Sequence, residues 1–338
     1  MLTYLIRANH AKRPFGTIDD GQAHFTIGRL ILIAGFLTAT LTVGVSGVII
    51  HQQLDIYARM RQVIAFTNQA KRVGDLVDEL QIERDLTALS LSGDARAVTA
   101  LFRQYPRSDR KRGSADLVQI DRLRVELLQH SLTSSEAIEG YSAVIGSALA
   151  GVGDIAKSFD SNPVGAYLKA YRELTQAKER ASQERAIGSV GFANAFYAGP
   201  YERFTELRTE QETYFASYLA LVSEGRRQEF SRLMSGAELS EFSSLRSSAQ
   251  LNGQAGTIDA GTWFVASSRK IETLRGIEEV AAADLLAVAD ETGRGAMMRL
   301  AATSLGSGFA VLVISALTLI MGLAQRATAR LHPFGGVL

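Results

Sequence analysis

The chain has 338 residues, with 36 Lys and Arg against 35 Asp and Glu, a net charge of +1, five prolines and no cysteine. Both signs are interleaved, so there is no electrostatic pull toward nucleic acid, and the lack of cysteine excludes a disulfide framework, thiolate metal centres and a Cys nucleophile. Scarce proline in a chain rich in Ala and Leu favours helix.

Residues 1–29 form a polar arm carrying Arg7, Lys12, Arg13 and Arg29. Residues 30–50, "LILIAGFLTATLTVGVSGVII", are 21 residues without a charge. As a helix they are about 31 Å long, which matches a hydrocarbon core of roughly 30 Å. A long polar stretch precedes them and no Ala-x-Ala-like site follows closely, which favours a membrane span over a cleaved signal. Helical spacing then continues to about residue 92. The stripe Val73, Leu76, Val77, Leu80, Arg84, Thr87 and Leu91 puts an arginine on the apolar face, while the acids Asp75, Asp78, Glu79 and Asp85 are expected mostly on the other side.

Breaks at "RQYPRSD", "DSNPVG" and "YAGPYE" punctuate the middle of the chain. Between them the spacing predicts a short helix to about 104, then helices near 113–130, 134–159, 164–197, 200–223, 225–234 and 237–250. The stretch "QLNGQAGTIDAG" reads as a loop. A second inward arginine arises in "ASQERAIGSVGFANAF". There the stripe is Leu174, Ala177, Ala181, Arg185, Gly188, Phe192 and Phe196, and Gln183-Glu184-Arg185 echoes Gln81-Ile82-Glu83-Arg84. The last helix starts near Thr262. Its stripe, Trp263, Lys270, Leu274, Ile277 and Ala281, turns Lys270 inward and leaves Arg269 to the side; Trp263 is expected in the core. "DETGRGAMM" is its expected weak point, since glycine costs about 1 kcal/mol inside a helix. Residues 300–324, again uncharged, form a second span, and Ser304–Gly308 with Ala310 would allow close helix contact.

These elements predict an all-α protein: an extracytoplasmic domain at 51–299 between transmembrane helices at 30–50 and 300–324, with a short tail at 325–338. The tail carries Arg326 and Arg330 and no acid, so both termini are expected in the cytoplasm and the main domain in the periplasm or outside; Arg294 and Arg299 run against this rule. A buried guanidinium without a counter-charge costs several kcal/mol. Its planar fork suits a small planar oxyanion such as nitrate, nitrite, bicarbonate or a small carboxylate.

At three blocks the chain resembles the nitrate- and nitrite-sensing domain family of bacterial receptors. They are "LVDELQIERDLTALSLSG", then "YRELTQAKERASQERAIGSVGFANAF" with "YERFTELRTEQETYFASYLAL", then "TWFVASSRKIETLRGIEEVAAADLL". The resemblance covers about residues 60 to 290. It implies two four-helix bundles sharing long helices, with the anion held by arginines between them at Arg84 and Arg185. The third basic position falls near Lys270, with Arg269 as runner-up. Asp85 and Ser182 stand where the family commonly has Gly. Only 14 residues, "QRATARLHPFGGVL", follow the second span. A kinase, cyclase or methyl-accepting coiled coil does not fit there, so either the chain is shortened or the signal is expected to pass to a separate partner.

The expected function is thus a two-pass sensor in the bacterial plasma membrane that binds nitrate or nitrite, a homodimer in the lipid bilayer without cofactor, metal or catalysis. The five histidines are scattered, and no HExxH, GxSxG or phosphate loop is present. The alternative is a structural or assembly protein whose bundle binds another protein, its arginines neutralised by Glu83 and Glu184.

Overall fold

A computed structural model describes residues 20–112, 118–157, 163–194, 196, 198–252 and 258–331. Those residues are helical, with no strand among them: α1 Asp20–Leu91, α2 Ala95–Arg112, α3 Val118–Leu128, α4 Ser134–Lys157, α5 Pro163–Asn194, α6 Ala198–Leu221, α7 Glu224–Met234, a 3-10 turn Ala237–Leu239, α8 Ser240–Asn252 and α9 Ala260–Leu331. The expectations for the arm up to residue 19, the tail from 332 and the loop at 253–257 lie outside the described residues. The chain divides into two compact units, residues 59–293 and the two end segments up to 58 and from 294.

Local chemistry sets the helix ends. Asp94 caps α2 by accepting from the amides of Arg96 and Ala97, and Asp259 caps α9 by accepting from Thr262. Thr133 and Glu136 exchange side-chain and backbone bonds in a capping box at the start of α4. Gly93, at φ +94°, closes α1 in the left-handed conformation while the amide of Asp94 reaches the Leu89 carbonyl.

One expected break, near Pro106, is absent, and the expected weak point of the last helix holds. Pro106 lies inside α2, which runs on to Arg112 rather than stopping near 104. Packing outweighs the lost backbone bond: Leu101, Gln104 and Ser108 are buried, and the Gln104 amide donates to both the carbonyl and the carboxylate of Glu79. Helix α9 likewise passes through Gly293 and Gly295 unbroken.

In the 59–293 unit the helices gather round two main apolar cores. One joins α1, α3 and α4 through Leu76, Val77, Leu80, Ile120, Leu123, Tyr141 and Ile145, with α2 laid on α1 by the Gln104–Glu79 bonds and the Lys111–Asp75 ion pair. The other joins α5, α6, α8 and α9 through Phe192, Phe204, Phe242 and Trp263. Helix α5 serves both sides. It faces α1 through Ala186 against Ala88 and α6 through the Phe192–Phe204 edge contact. A helix enclosed this way is buried almost all round, so the polar side chains at its middle must find partners inside the protein.

Gly188 sets the approach of α9 to α5. A Cβ there would come within 2.6 Å of Cε2 of Trp263, whose ring is fully buried and whose Nε1 donates to the Arg185 carbonyl at 3.1 Å. Gly188→Ala should therefore destabilise by about 1–3 kcal/mol through overpacking, although alanine is by about 1 kcal/mol the better helix former. Urea unfolding of the variant beside the wild type measures the difference.

In the other unit the charge-free stretches of α1 and α9 expose large apolar side chains, among them Phe36, Leu41, Leu305 and Phe309. Both helices are long and apolar enough to cross a membrane. They touch: a Cβ at Gly35 would overlap the methyl group of Thr318, and Nε of Arg299 donates to Gln53 at 3.1 Å. A Cβ added at Gly306 or Gly308 would meet nothing within 4 Å, so these two positions lie open, whereas Ser307 and Ala310 of the same run are half-buried.

Candidate functional site

Three long helices carry the polar middle of the 59–293 unit. Contacts between α1 and α5 advance together along both chains, from Gln81–Glu179 to Asn194–Ser92, so the two run parallel. Helix α9 runs opposite to α5, with Trp263 at Arg185 and Glu278 at Thr175.

Arg84 is 0 % exposed and Arg185 is 4 % exposed. Arg84 Nη1 donates to Glu179 at 2.7 Å and to Ser142 of α4 at 2.9 Å; Nη2 donates to Ser182 at 2.7 Å. Its Nε reaches Oδ1 of Asp85 at 3.4 Å. Oδ2 of the same carboxylate accepts from Nε of Arg185 at 2.5 Å. Arg185 Nη1 donates to Ser268 of α9 at 3.1 Å, and its guanidinium lies 5.1 Å over the Phe264 ring. Nη2 of Arg185 has no acceptor among the described residues.

Asp85 is itself 0 % exposed. This corrects the expectation that it lies with the acids on the outer side of α1. Counting one stripe assumes one buried face, whereas α1 is enclosed by α4, through the Tyr141–Glu83 bond at 2.7 Å, as well as by α5. Burial raises the Asp85 carboxyl above its ordinary value despite the opposing pull of Arg185 and then Arg84. Burial disfavours the charge of Arg84 too, but the Glu179 carboxylate, with Asp85 behind it, holds its proton more firmly than usual.

Further clusters flank this one. Lys178 of α5 bridges Asp78 of α1, at 2.7 Å, and Glu278 of α9, which also accepts from Thr175. On the α4 side, Glu83 accepts from Tyr141 and, in bidentate fashion, from Arg124 of α3. On the α6 side, Glu184 accepts from Gln211 at 2.9 Å and from Nη2 of Arg246 at 3.0 Å. Arg246 Nε lies 2.6 Å from the other Glu184 oxygen, but at an angle unsuited to a hydrogen bond. The Lys270 amine belongs here: it donates to Gln211 at 2.5 Å, lies 3.7 Å from Glu184 and sits 4.5 Å over the Phe242 ring. Burial pushes it down to about 8, against the attraction of Glu184.

Arg84 and Arg185 thus meet at one carboxylate. Lys270 is buried but shares no partner with them, and Arg269 lies exposed in an ion pair with Glu241 at 2.7 Å. The acids expected to neutralise the arginines under the alternative reading do not do so; Glu83 serves Arg124, Glu184 serves Arg246 and Lys270, and the arginines take Asp85 and Glu179 instead. Asp85 and Ser182 stood out in the sequence only as departures from the family's glycines; Glu179, Ser142 and Ser268 were not foreseen. One signal for Glu179 was present: "QAKERASQER" is largely polar yet sits mid-helix between apolar flanks.

The family model described as nitrate and nitrite sensing matches residues 75–286. A nitrate regulatory protein of Klebsiella oxytoca is 28 % identical over 176 residues, which is 52 % of this chain and 44 % of that protein, so the chain spans less than half the length of that relative. Among solved structures, that of the NasR transcription antiterminator is 23 % identical, covers 83 % of each chain and superposes with a TM-score of 0.59, a likeness of fold.

Proposed function

The chain belongs to the nitrate and nitrite sensing family, and from that premise we propose that it is a membrane-held, non-catalytic sensor that binds a nitrate or nitrite ion between Arg84 and Arg185. The observation that carries this reading is that two buried guanidiniums, delivered by parallel helices, aim their Nε groups at one shared oxyanion position. Such forks match planar oxyanions edge on. Ser142, Ser182 and Ser268 add hydroxyls on three helices around them.

The sensor domain of this reading is residues 51–299, held in the bacterial plasma membrane by spans at 30–50 and 300–324, with the arm 1–29 and the tail 325–338 in the cytoplasm and the domain in the periplasm. The hydroxyls of Thr38, Thr40, Thr42 and Thr318 each bond a carbonyl of their own helix, which suits a hydrocarbon surrounding where no water is available to them. A second copy fits the open small-residue face at Gly306 and Gly308.

The ion draws α1 and α5 together. Helix α9 follows through Ser268 and through the Trp263 bond to the Arg185 carbonyl, and it shifts by the small translations known in helical switches. A separate partner receives the signal. At ten times Kd the ligand supplies only about 1.4 kcal/mol, so the two states must be nearly balanced beforehand.

Nitrate has four heavy atoms; at about 1.5 kcal/mol per atom the ceiling is roughly −6 kcal/mol, a Kd of tens of micromolar or weaker. Calorimetric titration of the full chain in detergent with nitrate, nitrite, chloride and acetate tests the reading. Nitrate or nitrite should give heat and raise the melting temperature, and Arg185→Met should abolish both responses. A flat response to all four anions rejects the sensor.

One observation favours a second reading. Asp85 and Glu179 already balance the charges of both arginines, as an assembly protein that binds another protein would require. On that reading the arginines hold the fold and no anion changes its stability.

A further inference from the structure

Among the described residues, Asp85 is the only acid that touches both arginines. Its two oxygens are divided between them, one to each Nε. A carboxylate is planar and shares one negative charge between two oxygens; in those respects it matches nitrite, formate or one edge of nitrate. The chain thus holds a tethered oxyanion in the place a free one would need.

We propose that Asp85 is a built-in competitor for the anion site, and that nitrate or nitrite enters only as the Asp85 carboxylate takes up a proton and releases Arg185. This rests on the sensing function proposed above and adds proton coupling to it.

Charge balance supports the coupling. The charged groups facing Asp85 are Arg84 on its own helix and Arg185 on α5, with Glu179 of α5 behind Arg84. Among the described residues, helix α4 adds the uncharged Ser142 hydroxyl on Arg84, and α9 the Ser268 hydroxyl and the Phe264 ring on Arg185. Two cations therefore stand against two anions. An added anion would leave this buried cluster net negative, and one proton on Asp85 restores neutrality. The partners also say which arginine is freed. Arg84 keeps Glu179 when Asp85 lets go, whereas Asp85 is the only carboxylate on Arg185 among the described residues. The Asp85 carboxyl already holds its proton more tightly than an exposed one, because burial disfavours its charge.

The test is nitrate calorimetry on the full chain in detergent at about pH 5.5, 6.5 and 7.5, in two buffers of different protonation heat. The two lower values lie below the region where Lys270, pushed down to about 8, loses its charge, and Lys270 shares no partner with the two arginines. Wild-type affinity should fall by about tenfold per pH unit above the Asp85 value, with about one proton taken up per nitrate bound. Asp85→Ala should bind nitrate more tightly than wild type by a factor that grows about tenfold per pH unit above the Asp85 value, and should lose the pH slope. At about pH 7.5 formate should raise the melting temperature of Asp85→Ala more than that of the wild type, since only the variant lacks a competing carboxylate there.

Wild-type nitrate binding that is independent of pH, exchanges no protons and is not tightened in Asp85→Ala overturns the competitor and leaves the sensor standing. If neither protein binds nitrate or nitrite while both melt cooperatively, the sensor falls and the competitor with it. Should Asp85→Ala fail to fold, the wild-type proton count decides by itself: about one proton per nitrate supports the proposal, and none overturns it.

Discussion

Arg84→Met should lower the stability of the protein by about 3–5 kcal/mol, the usual result of removing one partner from a buried ion pair. For a unit of this size that is a fall in melting temperature of roughly 10 °C. Methionine fills much of the space but offers no donor. Glu179 then keeps only the amides of Gln81 and Gln183, the Ser142 and Ser182 hydroxyls lose their donor, and Asp85 is left to Arg185 alone. The double variant Arg84→Met/Glu179→Leu should recover most of the loss, because buried ion pairs replaced by apolar side chains of similar size are often neutral or better. Chemical denaturation of these two variants and of Glu179→Leu alone measures the coupling. If Arg84→Met alone unfolds at the wild-type midpoint, the guanidinium is not held as described.

Lys178→Met should cost a similar amount, about 3–5 kcal/mol, and should carry a pH signature. Lys178 binds Asp78 and Glu278 at once and so ties α1, α5 and α9 together. Without it Glu278 retains only the Thr175 hydroxyl and its bond with Tyr171, and Asp78 retains the partly exposed Arg275. In the wild type, burial already raises Asp78 above its ordinary value, against the attraction of Lys178. A carboxyl raised by folding supports the folded state fully below its unfolded value, and that support is lost as pH rises through the folded value. Loss of Lys178 raises Asp78 further. The gap in melting temperature between variant and wild type should therefore narrow as pH is lowered from about 7 to about 5. A gap that is constant or widens on acidification contradicts the assignment.

The sequence made some features legible and hid others for identifiable reasons. The exposed apolar stretches of α1 and α9 stood out because an uncharged run of 21 residues is long for the core of a soluble domain. The inward turn of Arg84, Arg185, Lys270 and Trp263 followed from helical spacing, since each falls on an apolar stripe. Asp85 did not follow, because consecutive residues lie about 100° apart on a helix and only a second enclosing wall brings the next residue inside. The partners did not follow either. Periodicity says which face is buried and not what lies opposite, so Glu83 and Glu184 looked like the natural counter-charges and are used elsewhere. Pro106 looked like a stop because its local penalty is visible in sequence, whereas the bond from Gln104 to Glu79 that offsets it is not.

The polar centre of α5 also constrains how this protein can vary. Arg84 depends on a residue 95 positions away, and Asp85 and Asp78 on residues 100 positions away. A charge at any of these places is tolerated only with its opposite already present on another helix. Single changes there stall at an unstable intermediate, and lasting ones must arrive as matched exchanges, as distant pairs of positions that drift in step.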